Sequence, residues 1–109
     1  MEAALKAIAE PRRREILRLV ADRELSAGEI ATRFDVTRPA ISQHLTVLKG
    51  AGLVTERREG TKRMYRARPE GLDEVRGFLE LFWGNQLQRL KTVAERAERE
   101  HGRKRGRER

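Results

Sequence analysis

Cysteine is absent from all 109 residues, and with it disulfides, thiolate metal sites and cysteine nucleophiles. No apolar run approaches the roughly 20 residues that a membrane span needs, and the chain opens without the charged and apolar regions of a signal peptide. The expected location is therefore cytoplasmic. Nucleophile–base pairing, a glycine-rich phosphate cradle and a metal-ligand set are also missing, which argues against an enzyme and against any cofactor. Hydrophobic residues make up only 38% of the chain, against 39% charged. A core that modest benefits from burying a second surface in an oligomer.

What the chain does have is positive charge in two places. Residues 1–36 balance seven Lys/Arg with seven Asp/Glu, whereas residues 37–68 set eight basic side chains against two acidic ones. Residues 69–102 carry five basic and seven acidic side chains, and residues 103–109 carry five basic and one acidic. The formal net charge of +8 is thus concentrated in the middle and at the end. A localised excess of this kind points to a polyanionic partner.

Periodicity gives the organisation. "MEAALKAIAEP" predicts a short helix with Ala4, Leu5 and Ile8 on one side, and Pro11 suits the first turn of a second helix, "PRRREILRLVAD". Ile16, Leu19 and Val20 form its apolar face, and Arg13 and Arg14 read as an exposed face balanced by Glu10 and Glu15. Ser26 and Glu29 have capping-box spacing, so "SAGEIATRF" predicts a third helix with Ile30 and Phe34 inward. Thr37 is placed to cap a fourth helix that tolerates Pro39 in its first turn and stops at Gly50 and Gly52. "LVTERREGTKRMYRAR" then reads as two strands turning at Gly60. From Leu72 to about Glu100 a long helix carries Trp83, Leu87, Leu90, Ala94 and Ala97 at alternating spacings of four and three, the seam of a packed helix pair. Val75, Phe78, Leu79 and Phe82 form a second apolar arc, and two arcs imply two neighbours. Residues 1–102 form one domain, and 103–109 have nothing to bury and read as a disordered basic tail.

The fourth helix explains the charge. With Ile41 at zero on a helical wheel, Leu45 and Leu48 fall within about 40° of it, while Gln43 lies near 200°, Thr46 near 140° and Ser42 near 100°. The outward face is short, polar and almost uncharged. Such a face can enter a DNA major groove, where long acidic side chains would be repelled and Gln, Ser and Arg match base-edge donors and acceptors. The preceding helix and short turn complete a helix-turn-helix over 26–50, and the basic hairpin after it forms a wing aimed at phosphates.

The stretches "LKAIAEPRRREILRLV" (5–20), "ELSAGEIATRFDVTRPAISQHLTVLKGAGLV" (24–54) and "REGTKRMYRA" (58–67) resemble the ArsR (SmtB-like) family of winged-helix repressors. "LDEVRGFLELFWGNQLQRLK" (72–91) resembles that family's terminal dimerisation helix. The resemblance implies a mainly α fold with a small β-hairpin, a winged helix-turn-helix in the order four helices, two strands, one helix. It also implies a homodimer joined through the first and last helices, repressing transcription from an inverted-repeat operator, often its own. The sequence departs from the metal-sensing members: "ELSAGEI" holds Ser26 and Gly28 where their inducer thiols sit, and only His101, with Glu98 nearby, represents the His/carboxylate site of the terminal helices. An inducing metal is not expected, and any inducer is left unidentified.

The expected base contacts are Arg38, Ser42 and Gln43. The expected backbone contacts are Thr37, His44, Lys49, Arg57, Arg58, Lys62 and Arg63, with Leu5, Ile8, Trp83, Leu87, Leu90 and Ala94 at the dimer interface. Several alternatives stay open. His44 suits a partly buried core edge as well as a phosphate, and Thr37 can cap its helix while donating to one. Phe82 and Trp83 suit core packing or an inducer pocket. A nonspecific or architectural DNA-binding protein, driven by wing and tail, remains the competing function. A protein-interaction module is a third, opposed by the basic patch.

Overall fold

The computed structural model describes the backbone of residues 1–107 and the side chains of residues 1–81, 83, 84, 86 and 88–99. Residues Glu2–Ala9 form α1; Glu10 then leaves helical geometry, with φ −91° and ψ 124°, to become the N-cap of α2, Pro11–Leu19. Its carboxylate accepts the Arg13 amide at 3.0 Å, and Pro11 occupies the first turn, where a missing N–H is harmless. The arginines that follow do more than balance the expected neighbours Glu10 and Glu15. Arg13 donates from Nε to the Ala7 carbonyl at 2.7 Å and from Nη2 to that of Lys6 at 3.1 Å. Arg14 Nη1 donates to the carbonyls of Ile8 and Ala9 at 2.7 and 3.1 Å. These are the last four carbonyls of α1, which no amide of that helix can reach. Side chains of α2 close them, and Glu15 pairs instead with Arg18.

Leu25–Ser26 form a short strand, β1, which leads into α3, Ala27–Ala31. The predicted capping box is present in both directions: Ser26 Oγ accepts the Glu29 amide at 3.1 Å, and Glu29 accepts the Ser26 amide at 3.4 Å. The helix is shorter than "SAGEIATRF" suggested, and Phe34 is half-buried beyond its end. α4 spans Arg38–Gly50, capped by Thr37, whose Oγ1 accepts the Ala40 amide at 3.3 Å. At its other end, Gly52 takes a φ of 76° that a side chain would disfavour. The Gly52 amide donates to Lys49 O and the Leu53 amide to Leu48 O, both at 3.0 Å, the paired bonds of a Schellman stop.

β2, Val54–Glu59, and β3, Lys62–Ala67, pair antiparallel across a two-residue loop, with Glu59 opposite Lys62 and Val54 opposite Ala67. Gly60 sits at the first loop position with φ 61°, the place a type II′ turn reserves for glycine. The sheet has three strands, not the expected two, in the order β1-β3-β2. Leu25 lies opposite Tyr65 and Ser26 opposite Met64. Two residues carry too little alternation to be recognised as a strand, and only β3 makes them one.

Within residues 1–76, the side chains of Ile16, Val20, Ile30, Ile41, Leu45, Leu48 and Leu53 are fully buried. On α1 it is Ala4 and Ala7 that are buried, while Leu5 and Ile8 stay half-exposed. The final helix, α5, spans Pro69–Arg107. Its first turn crosses the stop of α4 so closely that a Cβ on Gly71 would lie 2.0 Å from the Gly52 carbonyl oxygen. Arg68 secures the crossing, donating its amide to Leu53 O at 2.8 Å and Nη1 to Gly52 O at 3.3 Å.

Residues 77–109 form a second unit, entirely a continuation of α5 where described. The helix passes the end anticipated near Glu100; no proline interrupts it, although Gly102 and Gly106 lie in the added turns. The side chains of the basic stretch 103–109 lie outside the described residues. In this unit Leu81 is 90%, Leu90 65% and Val93 62% exposed. Trp83 and Ala94 of the expected seam are also exposed, and the side chains of Phe82 and Leu87 lie outside the described residues. Among the described residues no helix is long and apolar enough to cross a membrane.

Candidate nucleic-acid interface

The cap at Thr37 and the stripe Ile41, Leu45 and Leu48 fix which way α4 faces. With that stripe fully buried, Arg38, Ser42, Gln43 and Thr46 are left exposed. Thr46 Oγ1 donates to the Ser42 carbonyl at 2.9 Å, so its hydrogen is already used and it offers outward a methyl group and lone pairs. Ser42 and Gln43 retain their donors and acceptors. His44 is half-buried at the edge of the stripe. Val47 was passed over in the sequence, yet it is 42% exposed. One turn beyond Gln43 on the same face, it presents methyl groups of the kind that suit a thymine methyl. Its signal was available on the wheel, about 40° from Gln43.

Beside this face, the start of α3, the outer side of α4 and the β2–β3 hairpin enclose a groove of about 700 Å³. Arg38, Ser42, Thr46 and Lys49 line it from the helix, and Thr61, Lys62 and Arg63 from the wing. Four cations (Arg38, Lys49, Lys62 and Arg63) face two carboxylates there, Glu29 and Glu56, an excess of two positive charges. Five of the sequence-predicted residues therefore meet in one concavity: Arg38, Ser42, Lys49, Lys62 and Arg63. Gln43, Thr37, His44 and Arg58 do not line it; Gln43, Thr37 and Arg58 are exposed outside it.

Arg57 is turned elsewhere. Its Nε donates to both Glu24 carboxylate oxygens, at 3.2 and 3.0 Å, its Nη2 donates to Oε1 at 2.6 Å, and Glu59 lies at 3.3 Å. The Arg57 hydrogen bond, aided by the Arg57 and Arg66 charges, outweighs desolvation and holds the Glu24 carboxyl below its ordinary 4.5. Arg57 thus ties β2 to the residue preceding β1 and arrives at the surface with its charge matched.

Glu56, which the sequence reading did not single out, sits where the helix and wing meet. Its Oε2 accepts the Tyr65 hydroxyl at 3.0 Å and lies 3.4 Å from Lys49 Nζ, while its Oε1 lies 3.7 Å from Arg63 Nη1. Burial alone would push this carboxyl up, but hydrogen bonds from Tyr65 and Lys49, with the charges of Lys49 and Arg63, hold it below the usual range. No spacing rule marks Glu56, because its partners come from α4 and β3. Among the described residues no group of three or more His, Cys, Asp or Glu is arranged to hold a metal ion, and the His101 side chain lies outside them.

Residues 10–56 match the model of a family described as bacterial regulatory protein, arsR family. The chain is 44% identical to the HTH-type transcriptional regulator Rv2034 of Mycobacterium tuberculosis, over 79% of this chain and 80% of that one. It is 42% identical to the transcriptional repressor SdpR of Bacillus subtilis, over 55% and 67%. It is 40% identical to the transcriptional activator HlyU of Vibrio cholerae, over 71% and 68%. A solved structure described as a possible transcriptional regulator for arsenical resistance superposes with a TM-score of 0.74 at 43% identity, covering 82% of this chain and 93% of the other. These relatives are named as transcriptional regulators, none as an enzyme.

Proposed function

This chain belongs to the ArsR family of bacterial regulatory proteins and is a DNA-binding transcriptional regulator, and we propose that it acts as a homodimeric repressor on an inverted-repeat operator, its own among them. The observation that carries this reading is the pairing of a charge-poor, hydrogen-bonding face on α4 with a cationic groove beside it. Base edges are read by polar side chains that approach closely, and phosphates are held by cations at the flank. Arg38, Ser42 and Gln43 take the base edges. Thr37, His44, Lys49, Arg58, Lys62 and Arg63 take the backbone; Arg57 is set aside because its charge is matched. Leu5, Ile8, Trp83, Leu87, Leu90 and Ala94 supply the dimer contacts. The half-exposure of Leu5 and Ile8 and the exposure of Leu90 support that assignment. The basic segment 103–109 adds a sequence-independent arm to the domain of residues 1–102.

Repression follows from occupancy: a dimer that covers two half-sites one helical turn apart denies that DNA to the transcription machinery. The test is fluorescence anisotropy on the duplex upstream of the chain's own gene against a scrambled duplex, at roughly 150 mM salt. A preference of about a thousandfold, with a sedimenting species of twice the chain mass, is the expected result. Equal affinity for both duplexes would favour the architectural reading, which the net charge of +8 supports on its own. Specific binding that raises transcription from a linked promoter would leave the site intact but reverse the sign of regulation.

A further inference from the structure

A carboxylate inside a DNA-facing groove is an electrostatic liability, since it repels the phosphates that its neighbours attract. Glu56 is nonetheless held there firmly. Its side chain is only 18% exposed, and three groups from two elements converge on it. Lys49 comes from the last turn of α4, and Arg63 and Tyr65 from β3, so this one carboxylate spans the angle between recognition helix and wing. Both cations sit on long, exposed stems; Glu56 is the carboxylate that both reach, and the Tyr65 hydroxyl it accepts also touches Arg63. The two cations line the same groove, and in the reading above they meet the DNA backbone.

We infer that Glu56 is a positioning residue for DNA discrimination: it fixes Lys49 and Arg63 at one separation, so that only correctly docked DNA meets both, and it moderates their attraction for any other polyanion. This rests on the groove being the DNA-facing one. Held cations meet phosphates without losing rotamer freedom at the moment of binding, whereas released cations would lose it then. Removing the carboxylate also adds one net positive charge, which strengthens binding to every sequence. The two effects therefore have opposite signs on a matched duplex and only the second acts on a scrambled one.

The experiment measures affinities of wild type and Glu56→Gln for two duplexes: one recovered by in vitro selection with the wild-type protein, and a scrambled one of equal length. Glutamine keeps an oxygen to accept the Tyr65 hydroxyl and leaves no cavity. The expected result is a loss of preference of roughly tenfold, from the freedom regained by two long side chains, with the scrambled duplex bound no more weakly than before. In a Lys49→Ala background the same substitution should change preference much less, a coupling that a merely structural role would not produce. Tyr65→Phe, which removes the hydroxyl shared by Glu56 and Arg63 while keeping the ring and the charge, should shift preference the same way by a smaller factor, and it serves if Glu56→Gln folds poorly. Affinities for both duplexes rising by one common factor, or neither moving, would overturn the inference and leave the proposed function standing. A wild type that selects no preferred duplex would overturn both.

Discussion

Gly71→Ala sets two effects of opposite sign against each other. Alanine is a better helix former than glycine by about 1 kcal/mol, so at an open helical site the substitution stabilises. At Gly71 the new methyl carbon would lie 2.0 Å from the Gly52 carbonyl oxygen and 3.0 Å from its carbonyl carbon. Carbon–oxygen contacts settle near about 3.3 Å, so the two backbones must separate by more than about 1 Å. Neither is free to move. Gly52 is held at φ 76° by the Schellman bonds, and the Arg68 amide bonds Leu53 O at 2.8 Å beside it. Overpacking of this kind costs about 1–3 kcal/mol, and more when backbone has to give. The net expectation is a loss of about 1–2 kcal/mol, a fall in Tm of roughly 5–15 °C for a chain this size. Gly50→Ala is the matched control, with nothing within 4 Å of the added carbon and no positive φ; its Tm should rise by a few degrees. Thermal unfolding followed by circular dichroism reads both. A Gly71→Ala midpoint equal to or above that of the wild type would refute the reasoning that this crossing is rigid.

Other consequences can be checked with the same material. Gln43→Ala should reduce the preference between selected and scrambled duplexes, whereas Lys62→Ala should weaken both alike and lower the salt slope by about one; binding titrations at several salt concentrations separate the two. The depressed Glu24 carboxyl contributes stability that is full above its ordinary pKa of 4.5 and is lost as pH falls through the lower native value. Urea midpoints of wild type and Glu24→Gln should therefore differ at pH 7 and draw together as pH falls below 4.5, and a gap that does not narrow in acid would count against the Arg57 pair as its source. Arg13→Ala strips two carbonyls of α1 of their donors and should cost about 1 kcal/mol in unfolding while leaving the affinity of the folded protein for DNA unchanged.

Local signals were legible in the sequence wherever the physics is local. Ser26 with Glu29, Thr37 with Pro39, the stripe Ile41–Leu45–Leu48, and Gly60 in its loop all act within a few residues of themselves, and each forms as the spacing predicts. Signals whose cause lies on another element were misread or missed. Arg13 and Arg14 read as an exposed face, and Arg14 is exposed, but the carbonyls they close belong to the preceding helix and no spacing within α2 points to them. Leu25 and Ser26 become a strand only through Tyr65 and Met64. Arg57 looked identical to Arg58, and only the position of Glu24 distinguishes them. The cationic groove was half-visible: its charges were read from composition, but the carboxylate between them needs helix and hairpin to be brought together.

Ser26 belongs to two structures at once. Its backbone is in register with Met64 of the wing, and its side chain and amide close the start of α3. Few positions have so little tolerance for a change in chain length. One residue inserted between Leu25 and Glu29 would pull the cap off the helix or slide the strand out of register, which would turn its side chains to the opposite face. The loop over residues 21–23, exposed and outside any element, has slack to absorb such an insertion. Among natural variants and in loop grafting, length differences should therefore collect before Leu25 and stop there, leaving the distance from α3 to the wing the same in every chain that still folds this way.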